Sequence, residues 1–486
     1  MSTVKADVII VAAGASGLAA AVAAAEKGVK VVAFEKASTP GGTGNMGMGP
    51  LGLESRIQRL KQMGPTKEEA FNVFMHYTHY QVDARLVSAY LEKATTTIGW
   101  LEDMGVEFWD AVAYFPGGWP TWHVVAPGGE ACARNLYKTL TDRAKELGVE
   151  IYLQTPVKKI IKKEGKIKGI IAEDRNGEKV EAEGKAVIVA TGGFGDNPKL
   201  IKKFTGYTWG VDLQSFRIPG LAGDGHRMCW EVGAMQTDMR MEIMYLPPAK
   251  GDSDDINPLD PELMEAFRQP HYFCNIQGQR FMNEDIMPNA TFTGNAISQQ
   301  KNKVAFLIFD EEIKKIMEKQ YDALHVTFPF TYVEDLDGLI KKAKDSGYKD
   351  VHVADSLDEI AEMTGIDPVG LKEGIEEYNG FCEEGYDPVF HKQHKLLRPI
   401  KTPKFYALKF LTGAYGSLGG IKINYKTEVL DKDWNPIPGL YGAGTDANTI
   451  YGDSYVFVLP GNTMGFALNS GRMAGEYAAD FAKSAE

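Results

Sequence analysis

Cysteine is scarce in this chain: four in 486 residues, Cys132, Cys229, Cys274 and Cys382. They stand singly, with no C-x-x-C pair and no C-x-x-C-H haem site, so they read as reduced thiols in a cytosolic protein rather than a disulfide framework. Long apolar runs are absent too; none reaches the roughly 18 residues that suggest a bilayer span. An excess of positive charge is missing, since the formal net charge is −12, which argues against nucleic acid or an anionic membrane surface as the main partner. Met1 to Lys5 lead straight into an apolar run, leaving no room for a signal peptide, and a cytoplasmic location is the expectation. No metal site is expected. What remains is an ordinary globular composition, long enough for two or more domains.

Glycine, by contrast, is concentrated where it carries chemistry. Asp7 to Val11 form a short apolar run, followed by Ala12-Ala13-Gly14-Ala15-Ser16-Gly17 and a small-residue stretch, Leu18 to Lys27. A second apolar run, Val29 to Phe34, ends in Glu35. Strand, tight turn, helix, strand and an acid about 20 residues on make the dinucleotide fingerprint. Gly14 allows close approach of a pyrophosphate, Gly17 allows the helix to sit close to the sheet, and Glu35 can accept both ribose hydroxyls. The first glycine of the motif is replaced by Ala12, which is tolerable if that turn keeps a negative φ.

Three further segments select the cofactor. Gly41-Gly42-Thr43-Gly44-Asn45 supplies flexible backbone beside a second phosphate or the isoalloxazine. Ala186 to Ala190 is a buried strand ending in Thr191-Gly192-Gly193. Gly439 to Ala443, Gly444, Thr445 and Asp446 form another strand and turn, and Pro460-Gly461-Asn462-Thr463-Met464 open the last helix. An NAD domain needs only the first element; modules so widely spaced and so ordered predict an FAD domain of the glutathione-reductase type. Lys36 and Val157 complete the candidate cofactor contacts.

Between these modules, the spacing of Val87, Leu91, Ala94, Ile98 and Leu101 predicts a helix within Lys67 to Gly105. Val106 to Gly129 reads as an aromatic loop, Ala131 to Leu147 as a helix, and Glu150 to Ala182 as short strands with a hairpin turn at Asn176-Gly177. Composition changes near Met241, and cofactor chemistry is absent until Thr412. The fold class is therefore α/β, with an inserted α+β cap: residues 1–241 and 416–486 form the FAD domain, and 242–415 the cap.

The whole chain resembles the flavoprotein family of soluble fumarate reductases, urocanate reductases and 3-ketosteroid dehydrogenases. The order of the FAD segments carries the resemblance, with Gly278-Gln279-Arg280-Phe281-Met282-Asn283-Glu284, Phe306 to Asp310, Tyr378-Asn379-Gly380-Phe381, Phe405-Tyr406-Ala407 and Gly471-Arg472-Met473-Ala474-Gly475. It implies hydride transfer between flavin N5 and a carbon–carbon bond activated by a carbonyl or carboxylate, with a proton moving on the opposite face. No His, Cys or Tyr lies in Gly41 to Gly47, where a family histidine would attach to the flavin, so FAD is expected to be non-covalent.

In the fumarate reductases of this family two arginines and two histidines serve the substrate. The corresponding positions here fall near Pro288, Val458, Tyr415 and Leu246. Leaving a dicarboxylate unpaired in such a site costs roughly several kcal/mol, so fumarate is not the expected substrate. Glu265-Ala266-Phe267-Arg268 matches the family's E-A-x-R proton relay, or is a surface i, i+3 pair. Tyr415, just before Gly419-Gly420, is either a carbonyl or proton contact or a packed hinge residue. Tyr114 to His123 offers flat apolar surfaces, with Tyr114 as a pocket donor and His123 as a second proton carrier or a satisfied loop histidine.

The leading expectation is an FAD-dependent oxidoreductase, either an enone reductase or similar to a 3-ketosteroid dehydrogenase. Its substrate would be a small apolar or aromatic molecule with a conjugated, uncharged carbonyl, and its redox partner is unidentified. Alternatives are reduction of an unsaturated carboxylate through Arg217 or Arg240, and an electron-transfer flavoprotein without its own substrate.

Overall fold

The computed structural model describes residues 2–115, 117–129, 131–215, 219–247, 261–319 and 333–485; Arg217 lies outside them. Val8–Val11 (β1) and Val31–Phe34 (β2) are each four consecutive buried residues. Such runs suit parallel strands covered on both faces. Ala186–Val189 (β3) pairs with the other side of β1, Val189 opposite Val11. The six-stranded sheet runs Glu428–Leu430, Pro436–Gly442, β3, β1, β2, Glu150–Tyr152.

The helix that follows β1, Ala15–Glu26 (α1), is buried along ten residues, most of them alanine. Its neighbour is the C-terminal helix Asn462–Ser484 (α2). The two approach at backbone distance. A Cβ on Gly471 would lie 2.2 Å from the Ser16 carbonyl oxygen, and one on Gly475 2.3 Å from that of Ala20. The family segment Gly471 to Gly475 therefore joins the two ends of the chain.

Ala12 departs from expectation: its φ is +79°, not negative. The turn is held there because Ala12 N–H donates to the Phe34 carbonyl at 2.8 Å, and α1 comes so close that a Cβ on Gly17 would sit 1.9 Å from the Ala12 oxygen. The sheet and the helix together override a local cost of roughly 1–2 kcal/mol.

The segment from Lys67 is two helices, Lys67–Tyr77 and Ala84–Asp103. His79 and Tyr80 take left-handed φ values of +51° and +58°, and Asp83 caps the second helix by accepting from the Arg85 and Leu86 amides. The five apolar residues expected on one face are all buried in that second helix. The aromatic stretch from Val106 is not simply a loop, because Phe108–Val112 and Trp122–Val125 pair as an antiparallel ribbon. The next helix starts at Arg134 rather than Ala131, with Ala131 left-handed at φ +55°.

A second, seven-stranded sheet is organised by a single long strand. Arg240–Leu246 (β4) pairs antiparallel with Phe405–Gly420 (β5), which also pairs with Val304–Asp310, Val351–Ala354 and Ala447–Asn448. The expected domain edges, 241/242 and 415/416, fall inside β4 and β5. Val304–Asp310 is buried at all seven positions. The R-F-M-N-E segment anchors this layer: Arg280 donates to both Glu284 oxygens at 2.7 Å and to Asp387 at 2.8 Å, and Lys392 lies 3.6 Å from Glu284. Among the described residues no helix is long and apolar enough to cross a membrane.

Candidate active site

The groove at the carboxyl ends of β1, β2 and β3 is where an open α/β sheet binds its ligand. Gly14 precedes α1, and no side chain among the described residues caps that helix end. Its first N–H groups are therefore available to a phosphate. Ala13, Gly14, Ala15 and Ser16 form this turn, and Gly14 bridges to Gly41. Gly42–Met46, with Thr43, Gly44 and Asn45, is a short 3-10 turn whose Gly42 and Thr43 are exposed. Glu35 is 6% exposed; its two oxygens accept the Ala13 amide at 2.7 Å and the Ala37 amide at 2.8 Å, leaving further lone pairs for ribose. Val157 is buried in the strand Val157–Lys163, two residues beyond Thr155, whose amide donates to the Glu35 carbonyl.

Two expected contacts have other work. The Asp446 carboxylate is fully buried and accepts from the Thr191 amide, the Thr191 hydroxyl at 3.0 Å and the Gly193 amide at 3.1 Å. It ties the Ala190-Thr191-Gly192 turn to the Gly444-Thr445-Asp446 turn. Lys36 pairs with Asp224 at 3.0 Å and with the Gly220 carbonyl, which consumes its charge.

At the far end of the groove α2 begins after Gly461, left-handed at φ +82°. The Asn462 and Thr463 amides donate to the Tyr455 hydroxyl at 3.0 and 3.1 Å, and a Cβ on Gly47 would touch Met464 at 2.2 Å. The glycine turn and the start of α2 thus face one another. Two buried polar atoms here have no hydrogen-bond partner among the described residues: the Tyr137 hydroxyl beside Gly44, and Asn462 Nδ2. The open N-terminus of α1, a Cβ-free turn and the two unsatisfied side-chain donors fit a dinucleotide with a flat polar ring. In such a fit Glu35 holds the ribose, the α1 turn the phosphates, and Asn462 to Met464 the ring edge.

Next to the start of α2 stands a cluster that the cap supplies. β4 and β5 slip register between Met241, opposite Ser417, and Ile243, opposite Ala414, so Glu242 confronts both Tyr415 and Gly416. This is a β-bulge, a device that re-aims side chains. Glu242 is 3% exposed and accepts the Thr463 hydroxyl at 3.1 Å. Burial pushes its carboxyl from the ordinary 4.5 to about 8, against the smaller lowering from that hydrogen bond. Tyr415 keeps 36% of its surface open, yet burial and neighbouring Tyr114 raise its phenol far above the usual value, with Arg268 pulling the other way.

Arg268 comes from the turn after Pro261–Ala266 and donates to the Tyr114 hydroxyl at 3.4 Å, stacking 5.9 Å over Tyr245. Its Nε has no acceptor among the described residues. Burial opposes its charge, but Tyr114, Tyr245, Tyr415 and Glu265 together hold its pKa above the ordinary value. Glu265 is 2% exposed, so the E-A-x-R pair is no surface pair. Its oxygen accepts Gln269 Nε2 at 2.8 Å.

His123 is a correction. It is fully buried, Nδ1 lies 3.0 Å from the Thr121 carbonyl and Nε2 2.7 Å from the Ser55 hydroxyl. Burial lowers its pKa to about 4, so it stays neutral with both nitrogens engaged and cannot carry a proton to a substrate. Arg240 lies instead at a separate opening of 1180 Å³ on the outer side of β4, with Tyr77, Phe204, Ile243 and Phe292. Glu242, Tyr245 and Tyr455 were not singled out from the sequence. The available signal was a lone carboxylate in the otherwise apolar run Met241-Glu242-Ile243-Met244-Tyr245-Leu246.

Residues 7–463 match the family described as FAD binding domain. The chain is 30% identical over 482 residues to vinyl phenol reductase from Lactiplantibacillus plantarum, covering 98% of this chain and 96% of that protein. It is 27% identical to the cytochrome-type fumarate reductase of Shewanella frigidimarina, over 98% of this chain and 77% of the other. Among solved structures it superposes on 3-ketosteroid delta1-dehydrogenase from Sterolibacterium denitrificans with a TM-score of 0.78 at 21% identity, covering 98% and 99% of the two chains. With the two ends of the sequence joined at one parallel sheet, the chain belongs to this FAD-binding flavoprotein family and is an FAD-dependent oxidoreductase acting on carbon–carbon bonds.

Proposed function

We propose that the protein reduces, or forms, a carbon–carbon double bond in a flat and uncharged substrate. The conjugating group is an uncharged carbonyl or, as the vinyl phenol relative suggests, a phenolic ring. The observation that carries this reading is the make-up of the cluster beside the FAD groove: Arg268 set among Tyr114, Tyr245 and Tyr415. At the other family contact positions stand Leu246 and Pro288, both buried, and Val458. A dicarboxylate needs paired cations there. A ketone or phenol needs only hydrogen-bond donors.

Bound FAD supplies or accepts the hydride. The protein's part is binding, orientation and the proton. Tyr415 donates a hydrogen bond to the substrate oxygen, or a proton to carbon, and Arg268 stabilises the negative charge that develops on the phenol or enolate. Glu265, next to Arg268 and screened from water, relays the proton. The aromatic side chains of Tyr114, Trp119 and Trp122 exclude water and hold a flat ring. In this reading residues 242–415 act as the substrate cap, the FAD is held without a covalent bond, and the site opens to an unidentified redox partner.

Anaerobic reoxidation of the reduced flavin tests the reading. Vinyl phenols or enones should reoxidise it, while fumarate and acrylate should not. Efficient reoxidation by fumarate would overturn it and favour the carboxylate alternative. Acid precipitation should leave the yellow colour in the supernatant; colour in the pellet would mean a covalent flavin.

A further inference from the structure

Most buried carboxylates in this chain have a cation or several amide donors. Glu284 and Asp387 share Arg280, and Asp446 accepts three protein donors. Glu242 is different. Among the described residues no cation pairs with it, and its one hydrogen bond comes from the Thr463 hydroxyl at 3.1 Å. It sits in the bulge between β4 and β5, and a Cβ on Gly416 would lie 4.0 Å from its Oε2. The groups facing it are Tyr415 from β5, Tyr451 and Tyr455 from the segment before α2, and Thr463 from α2 itself. All are neutral phenols or a hydroxyl. Such a carboxyl is stable in a dry site only as the acid. It stands at the first turn of the helix whose start, with Asn462 Nδ2 unsatisfied, is shaped for the ring edge of the cofactor.

We propose that Glu242 is a redox-linked proton site: it is a neutral acid beside the reduced cofactor and ionises only beside the oxidised one. The physical reason is electrostatic. Reduction by two electrons with one proton adds one negative charge at the ring, and a carboxylate nearby would repel it in a low-dielectric site. The acid therefore holds its proton more tightly after reduction. The balance closes on the alkene. With FAD bound, reduction of an alkene would draw two electrons and one hydrogen from the reduced ring as hydride and the second hydrogen from a protein acid as a proton, and the product would gain both. The proposal depends on FAD at this groove, not on the substrate proposed above.

The test is potentiometric, with dithionite and mediators and no substrate. One proton taken up per two electrons is a tenfold change per pH unit, about 30 mV. The parent protein should follow that slope up to about pH 8, where the oxidised form begins to lose the Glu242 proton, and twice that slope above. Glu242→Gln should keep the single slope throughout. A parent with no break between pH 7 and 9.5, or a Glu242→Gln protein that keeps the break, overturns the proposal. Should the variant fail to bind FAD, reduced-minus-oxidised infrared spectra of the parent at pH 9 decide. A carboxylic-acid carbonyl band must appear on reduction, and its absence refutes the assignment.

Discussion

Two buried ionic groups of this protein behave in opposite ways. Around Arg280, every charge is answered: two oxygens of Glu284, one of Asp387 and the Lys392 ammonium lie within 3.6 Å of their partners. Around Arg268 stand three phenols and one carboxylate, Glu265, with an Nε that finds no acceptor among the described residues, and Glu242 is an acid without a cation among the described residues. The first group is saturated and serves as scaffold. The second holds polar capacity in reserve, which is costly unless a ligand or a proton uses it. Unsatisfied burial, more than charge itself, separates the site from the frame.

The largest expected effect strikes the saturated side. Glu284→Gln leaves Arg280 and Lys392 buried with too few acceptors and should cost about 3–5 kcal/mol, read by chemical denaturation at pH 7. A loss below about 1 kcal/mol would show that the network holds little and would erase the contrast.

On the reserve side, Tyr415→Phe should leave stability and the flavin spectrum intact while lowering turnover about a hundredfold or more. Full activity on the true substrate would make Tyr415 a packing residue. An intermediate case is Glu35, whose oxygens accept two backbone amides and which we propose to hold the cofactor's ribose. Glu35→Ala should weaken FAD binding about tenfold to a hundredfold, the range for charge-assisted hydrogen bonds, without moving the potential of the FAD that remains. A shifted potential would place Glu35 near the flavin ring instead of the ribose.

The remaining effect is a pH dependence. The Glu242 carboxyl has a folded pKa raised from 4.5 to about 8, so its contribution to stability is complete below pH 4.5 and is lost as pH rises toward 8. Glu242→Gln has no such loss. Its stability relative to the parent should climb between pH 5 and 8 and level off above. A difference independent of pH would mean that Glu242 is ionised throughout and that its surroundings are wetter than its 3% exposure indicates.

Much of the FAD half was legible in the chain. Apolar quartets such as Val8 to Val11, the acid Glu35 at its fixed spacing, and glycines where a Cβ cannot fit are local signals, and local sterics translate them directly. The motifs of the cap were legible as motifs, yet their work was not. Arg280 and Glu284 lie one helical turn apart in sequence, but Asp387 joins them from about a hundred residues away. The sequence left His123 as a second proton carrier or a satisfied loop histidine, and it is buried with both ring nitrogens engaged. The left-handed turn at Ala12 was misjudged because the packing of α1 against the sheet, not the residue itself, decides it.

The order of the glycine-rich segments by itself determined the FAD domain, because backbone approach to phosphates demands particular residues at particular spacings. The candidate site cluster was decided only in three dimensions. Tyr114, Glu242, Arg268 and Tyr415 come from four separate stretches, and a register slip between β4 and β5 brings two of them face to face. Nothing in a linear pattern encodes a register slip. It follows from how the cap sheet closes over the start of α2, where burial then turns an ordinary glutamate into an acid.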